Sequence, residues 1–367
     1  MEIEKNIEIL KACRYCPMCR NVCTSGNLSY HESDYPRGRG LVLDSIYNNN
    51  LEYDTDIVNA IYNCFLCGCC WSNCEGNYRM HELIKSARID IVDSGNAPQV
   101  AQEIRSKMLS GKNPFGDDND AYKAEEKKAD ILYIMGDNIK FNSHDIPRAV
   151  RDLLSKMNID HTLLNDEPSS GKILGLLGFS KDSRELAQKL YDRIKEIDPK
   201  VILVSDPLIY DLLKNDFPSY GFKIAPATKI MHISQYLAKL LKDGKLKLKK
   251  SKNRITLLDS EFLGRFNKVY DEPRKILKEI AGDSFVEMRW TKEKALSAGE
   301  AAFIFNGRLF SDGHILGEKI CKEARDIDTD TIITLSPAAK ENLSRCKDIK
   351  IVDIAEFVLG QLSQGKK

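Results

Sequence analysis

The chain has 367 residues, 42% of them apolar and 30% charged, with 55 basic against 54 acidic side chains and a net charge of +1. At roughly 150 residues per domain this length suits two or three domains. The composition excludes a mainly disordered chain, and the charge balance argues against a nucleic-acid binder, which needs a basic excess.

The N-terminus, MEIEKNIEIL, is acidic and amphipathic and lacks the basic and apolar regions of a secretory leader, so the expected location is the cytoplasm. Of 11 cysteines, nine fall between Cys13 and Cys74. In a cytoplasmic chain such density points to metal ligation rather than to disulfides. Cys13, Cys16, Cys19 and Cys23 read C-x-x-C-x-x-C-x-x-x-C, and Cys64, Cys67, Cys70 and Cys74 repeat the pattern. Zinc sites usually show C-x-x-C pairs separated by longer loops. Three cysteines at three-residue steps and a fourth four residues on is the run that wraps a 4Fe–4S cluster, and in two-cluster proteins the fourth cysteine serves the other cluster. The expected sites are therefore Cys13, Cys16, Cys19 and Cys74 for one cluster, and Cys64, Cys67, Cys70 and Cys23 for the other. Thr24 and Glu75 stand where ferredoxin runs usually carry proline. Cys69 reads as a free thiol near a cluster.

Between the runs, DYPRGRG (34–40) reads as a turn-rich basic loop; Arg37 and Arg39 are expected to be solvated there or to complement an anionic cluster or partner. Helix-like apolar spacing covers 56–62 and 81–92. The polar, breaker-rich stretch 111–130 reads as a linker. The apolar run ILGLLGF (173–179) is far short of a membrane span, as are the other apolar runs.

An internal repeat follows. Each half opens on a strand (131–136; 255–260), then a helix (146–157; 272–282), a small-residue turn (Ser169-Ser170-Gly171; Ser297-Ala298-Gly299), a second helix (183–197; 314–327) and a strand (200–205; 330–336) running into Pro207 or Pro337. Alternating strands and helices indicate parallel α/β units, here in two copies. The basic stretch 243–254 between the halves reads as a solvated face. His232 reads as packing or a satisfied surface residue, and Cys321 and Cys346 as ordinary thiols. No phosphate-binding glycine loop is present.

With these features, nearly the whole chain resembles the two-cluster iron–sulfur subunits related to the heterodisulfide reductase catalytic subunit. That family includes the iron–sulfur subunits of glycolate oxidase, lactate-utilisation systems and anaerobic glycerol-3-phosphate dehydrogenase. DYPRGR (34–39) is similar to the family's S-P-R-G-R loop, and LLDSEFLGRFNKVYDEPRKIL (257–277) to its H-D-P-C-x-L-G-R segment. The resemblance implies an α+β, α/β multidomain fold: a helical ferredoxin-like domain (1–112), a linker (113–130) and two CCG-type α/β domains (131–247 and 254–367). The family places five cysteines in each CCG domain. Here those positions hold Asp137, Ser169, Ser170, Asp206 and Ile209, then Glu261, Ser297, Ala298, Ser336 and Ala339. Both domains are thus expected to lack a cluster and to serve as scaffold or docking surface; a pocket retained for a different ligand, and Asp137, Asp206 and Glu261 as ligands of a hard cation, are the lesser readings.

The function expected is relay of single electrons through two 4Fe–4S clusters, between a flavin-containing dehydrogenase subunit and a downstream acceptor. The chain itself would hold no catalytic residue. The acceptor would be another subunit or a carrier, membrane-associated or not, leaving this chain cytoplasmic or peripheral to the inner membrane face through its partner. The alternatives are an assembly module with structural clusters and a disulfide reductase, the latter disfavoured by the ten replaced cysteines.

Overall fold

The computed structural model describes residues 1–118, 120–302 and 314–363, with side chains described from 317 in the last segment. The first hundred residues form helices. Helix Thr55–Tyr62 is capped by Asp54, whose Oδ1 accepts the Ile57 amide at 2.8 Å. Helix Met80–Asp93 buries Leu83, Ile84, Ala87 and Ile91, one stripe of its surface. Helix Pro36–Tyr47 begins where the sequence suggested a loop. Proline suits the first helical position, its missing N–H being unneeded there, so the DYPRGRG segment is a helix start and Arg39 lies inside the protein.

Two parallel sheets follow. The first orders its strands β2-β1-β3-β4, from β1 (Ile131–Ile134), β2 (Thr162–Leu163), β3 (Val201–Val204) and β4 (Lys229–His232). The second is β5-β6-β7, from β5 (Ile255–Leu257), β6 (Thr331–Thr334) and β7 (Lys350–Asp353). Strands β1, β5 and β6 are buried throughout, as covering helices require of a parallel sheet. Each unit ends alike: β4 runs into helix Ile233–Lys242, capped by His232, and β7 into helix Ile354–Gly360, capped by Asp353. Both caps are reciprocal, Gln235 and Glu356 bonding back to the cap amide.

The units pack through exchanged helices. Helix Asp145–Lys156 of the first lies on Ile354–Gly360 of the second, and Ile233–Lys242 of the first on Asp271–Ala281 of the second. One apolar core consequently runs from Leu132 and Val204 to Ile333 and Val358. The apolar stretch at 173–179 becomes helix Lys172–Leu177, whose Ile173, Leu174, Leu176 and Leu177 join the core of the N-terminal helices.

One sequence expectation is corrected here. Cys321 and Cys346 form a disulfide rather than two thiols, because helix His314–Asp326 and the turn after helix Pro337–Leu343 bring their Cα atoms within 6.3 Å. His232 takes the packing role of the two expected for it and is fully buried. Its Nε2 lies 3.2 Å from the Ser205 carbonyl while Nδ1 accepts the Ser234 amide at 3.2 Å, so one imidazole joins β3 to the next helix.

Candidate iron–sulfur centre

The two cysteine runs fold into the same turn. In each, the residue before the second cysteine is left-handed, Tyr15 at φ +54° and Leu66 at φ +54°. That bend points its amide back at the first thiol, at 3.4 Å from Tyr15 N to Cys13 Sγ and 3.5 Å from Leu66 N to Cys64 Sγ. After the second cysteine the chain turns into a short helix, Met18–Val22 in one run and Cys69–Ser72 in the other. Such N–H···S contacts favour a thiolate over a thiol.

The fourth cysteine of each run turns toward the other run. Cys23 ends helix Met18–Val22 and caps the next, accepting the Gly26 amide at 3.4 Å. It lies with Cys64, Cys67 and Cys70 around a single cavity, which Arg39, Met80 and His81 help to close. Burial raises the Cys70 thiol well above its ordinary range, and the charges of Cys67, Cys64 and Cys23 push it further. Burial likewise raises Cys13, with Cys74 and Cys16 as the neighbouring thiols adding to it. Cys19 is pushed up to about 11 by burial, then by Cys23, Cys13 and Cys16. Cys23, Cys64, Cys67 and Cys70 thus line one cavity, while Cys13 has Cys74 and Cys16 as neighbouring thiols and Cys19 feels both Cys23 and Cys13. Burial thus favours the protonated thiol at Cys13, Cys19, Cys23 and Cys70, and soft metal would displace those protons on binding.

Among the described residues no three His, Cys, Asp or Glu close around a single metal ion. A mononuclear zinc site needs its four sulfurs about 3.8 Å apart, as tetrahedral bonds of about 2.3 Å require. Cys23, Cys64, Cys67 and Cys70 line one shared space instead, and thiolates are the donors that sulfur-bridged iron takes.

The groups differ in exposure. Cys16 is exposed, and its chain neighbours Tyr15 and Met18 are exposed with it, at 44% and 46%. The other group is roofed by residues from far along the chain. The π-helical turn Glu261–Phe266 leans on the second run: Phe266 stacks on Trp71 with ring centres 6.1 Å apart, and Arg265 donates to the Cys67 carbonyl at 3.0 Å. Cys69 is buried there, its thiol donating to the Ala295 carbonyl at 3.7 Å.

Sequence reasoning assigned no role to Arg88 or Arg265. Arg88 donates to the carbonyls of Cys64 at 2.7 Å and Leu176 at 2.8 Å. Its signal is a charged residue on the apolar stripe of helix Met80–Asp93, four positions from Ile84. Arg39, which was read as a loop side chain, is 1% exposed and bonds to the Ala60 carbonyl at 2.7 Å. Arg37 keeps the expected half-solvated character, paired with Glu32 at 2.7 Å.

In the α/β units the replaced cysteine positions converge at the C-terminal ends of the strands, where open α/β sheets place their ligands. Asp137 accepts from the hydroxyls of Ser169 at 3.1 Å and Ser170 at 3.2 Å, and Asn138 donates to Asp206 at 3.5 Å. Glu261 accepts from the Ser297 hydroxyl at 2.5 Å and the Gly299 amide at 2.8 Å. Gly171 and Gly299 share φ +72°. Burial pushes Asp206 up to about 7; Glu300 goes up to about 8 by burial and by Glu261 beside it. Each carboxylate is thus engaged with its own loop's donors.

No family model matches the chain. It is 30% identical over 276 residues to the "Probable iron-sulfur-binding oxidoreductase FadF" of Bacillus subtilis, covering 69% of this chain and 39% of that protein. It is 29% identical over 316 residues to the HdrD polypeptide of the dihydromethanophenazine:CoB–CoM heterodisulfide reductase of Methanosarcina barkeri, covering 81% of this chain and 77% of that polypeptide. In fold it is similar to the crystal structure of a hypothetical protein from Helicobacter pylori, at TM-score 0.56 and 10% identity over 89% of this chain and 68% of that one. The chain is accordingly a relative of iron–sulfur oxidoreductase subunits of the HdrD and FadF kind. Among the described residues no helix is long and apolar enough to cross a membrane.

Proposed function

We propose that this relative of iron–sulfur oxidoreductase subunits is an electron relay with two 4Fe–4S clusters, one on Cys13, Cys16, Cys19 and Cys74, the other on Cys23, Cys64, Cys67 and Cys70. The observation that carries the reading is the cavity shared by Cys23 with Cys64, Cys67 and Cys70, because only a group binding both runs explains why Cys23 leaves its own. When bound, the clusters supply one-electron redox chemistry. The chain's residues do the rest: the left-handed Tyr15 and Leu66 aim thiols and amides, and the roof at Phe266 and Arg265 keeps water from the inner group. The exposed outer group, rimmed by Tyr15 and Met18, is the port at which a flavin-containing dehydrogenase or the acceptor docks.

The domain layout is proposed as helical unit 1–112, linker 113–130 and duplicated α/β units 131–247 and 254–367. The two α/β units hold no cluster. Asp137 and Glu261 stand at the first cysteine position of each, and they accept the hydroxyl and amide hydrogen bonds that thiolates would otherwise receive. These units serve as scaffold, and the chain carries no catalytic residue of its own. Purification without oxygen, with iron and acid-labile sulfide counted per chain, tests the reading. About eight of each supports it; clearly more would place a cluster in an α/β unit, and about two zincs with little iron would overturn the relay.

A further inference from the structure

Among the described residues, the three largest fully buried side chains are arginines: Arg39, Arg88 and Arg265. They come from helix Pro36–Tyr47, helix Met80–Asp93 and the turn Glu261–Phe266, which are far apart in sequence. Arg88 and Arg265 reach the second cysteine run, and Arg39 lines the same cavity from the side of Cys23. Arg265 Nη1 donates to the Cys67 carbonyl at 3.0 Å and Arg88 Nη2 to that of Cys64 at 2.7 Å. Arg39 donates to the Ser25 hydroxyl at 3.2 Å, and that hydroxyl lies 3.6 Å from Cys23 Sγ.

Burying a guanidinium is costly unless negative charge compensates it. The carboxylates nearby are Asp34, 3.4 Å from Arg39, and the pair Glu261 and Glu300 beside Arg265. Glu261 and Glu300 crowd each other, and burial with that crowding raises both carboxyls, which weakens their compensation of Arg265. Three buried guanidiniums therefore place positive charge beside this site in a weakly screening interior. At the outer group the cations are different in kind. Lys11, Arg14 and Arg20 are exposed, and Arg37 is half-exposed and paired with Glu32, so solvent and salt screen them.

Resting on the two-cluster reading, we infer that the inner site, on Cys23, Cys64, Cys67 and Cys70, is the higher-potential member of the pair, and that Arg39 and Arg265 make it so. Reduction adds one negative charge to the site. Burial by itself opposes that charge and would make the inner site the harder one to reduce. The buried guanidiniums reverse the order. An electron arriving at the exposed face then moves inward and rests beneath the 261–266 turn, where the second α/β unit meets the cysteine run.

The test is a redox titration of the full chain, loaded without oxygen and followed by electron paramagnetic resonance. Two waves are expected. Arg265→Gln lowers the upper wave by a tenfold or greater change in the reduction equilibrium, which is 59 mV for one electron, and leaves the lower wave in place. Arg39→Gln does the same, Arg265→Lys retains most of the wild-type value, and Arg37→Gln leaves the upper wave unmoved. Should Arg265→Gln shed iron, Arg39→Gln reads the same effect from the opposite side. Iron and sulfide counted on each sample separate two failures. Wild-type protein with well under eight irons overturns the two-cluster reading itself. Eight irons with an upper wave indifferent to both arginine variants, or a lower wave moving instead, overturns the inference alone.

Discussion

Replacing Arg88 by methionine isolates how much one buried cation contributes to the fold. Its guanidinium donates to the carbonyls of Cys64 at 2.7 Å, Leu176 at 2.8 Å, Tyr62 at 3.1 Å and Ile61 at 3.3 Å, with no solvent exposure. Taking about 2.5 kcal/mol for each of the two short bonds and about 1 for each longer one, deletion forfeits about 7 kcal/mol. Burial, the chief cause, lowers the Arg88 pKa to about 10. Removing the charge therefore returns about 3 kcal/mol of desolvation. Methionine fills similar space and supplies no donor, so the expected net loss is about 4 kcal/mol, a large share of a typical stability of about 5–15 kcal/mol. Urea unfolding followed by far-ultraviolet circular dichroism measures it, with Arg88→Lys expected to recover only a minor part, since one ammonium cannot span all of these carbonyls. A loss below about 1 kcal/mol would refute the reasoning, by showing that the carbonyls find other donors once the side chain is gone.

Further outcomes follow from the same geometry. Cys23→Ser and Cys74→Ser should each roughly halve bound iron, with Cys23→Ser sparing the outer cluster and losing the wave that responds to Arg265; loss of the outer cluster from Cys23→Ser would sink the crossed ligation. Gly171→Ala should destabilise by more than about 2 kcal/mol, combining about 1–2 kcal/mol for a left-handed alanine with a collision, because φ is +72° and the new Cβ would stand 2.3 Å from the Ser183 carbonyl. Gly95→Ala, at φ +79° with nothing within 4 Å, isolates the backbone part and should cost about 1 kcal/mol. Burial lowers His232 from 6.5 to about 4, so its contribution is complete above pH 6.5 and drains away as pH falls toward 4. The stability difference between wild type and His232→Gln should accordingly shrink by about 3 kcal/mol over that window, measured by urea titrations at stepped pH. A difference independent of pH would mean that His232 titrates in the fold as it does in the unfolded chain.

What the sequence alone determined was what is written locally. Ligand spacing, the 3.6-residue stripe of Met80–Asp93 and the apolar strands at 131–134 and 201–204 follow from neighbours a few residues apart, and the paired glycines and prolines exposed the duplication without any contact being known. Local reading failed where a long-range partner supplied the reason. DYPRGRG has the composition of a loop, yet Arg39 is buried because Ala60, Ser25 and Asp34 wait for it in the fold. Cys321 and Cys346 are 25 residues apart with nothing between them to announce a bond. The strands β4 and β7 are short and half-buried, and they read weakly until β3 and β6 offer them an edge. The tertiary structure alone decided that one cysteine group would be exposed and the other surrounded by guanidiniums from three distant segments. The two runs have the same spacing and the same turn, so nothing local distinguishes them. The difference lies in burial and in which remote charges share it, and both depend on how helix Met80–Asp93 and the turn Glu261–Phe266 close over one run and leave Cys16 of the other exposed.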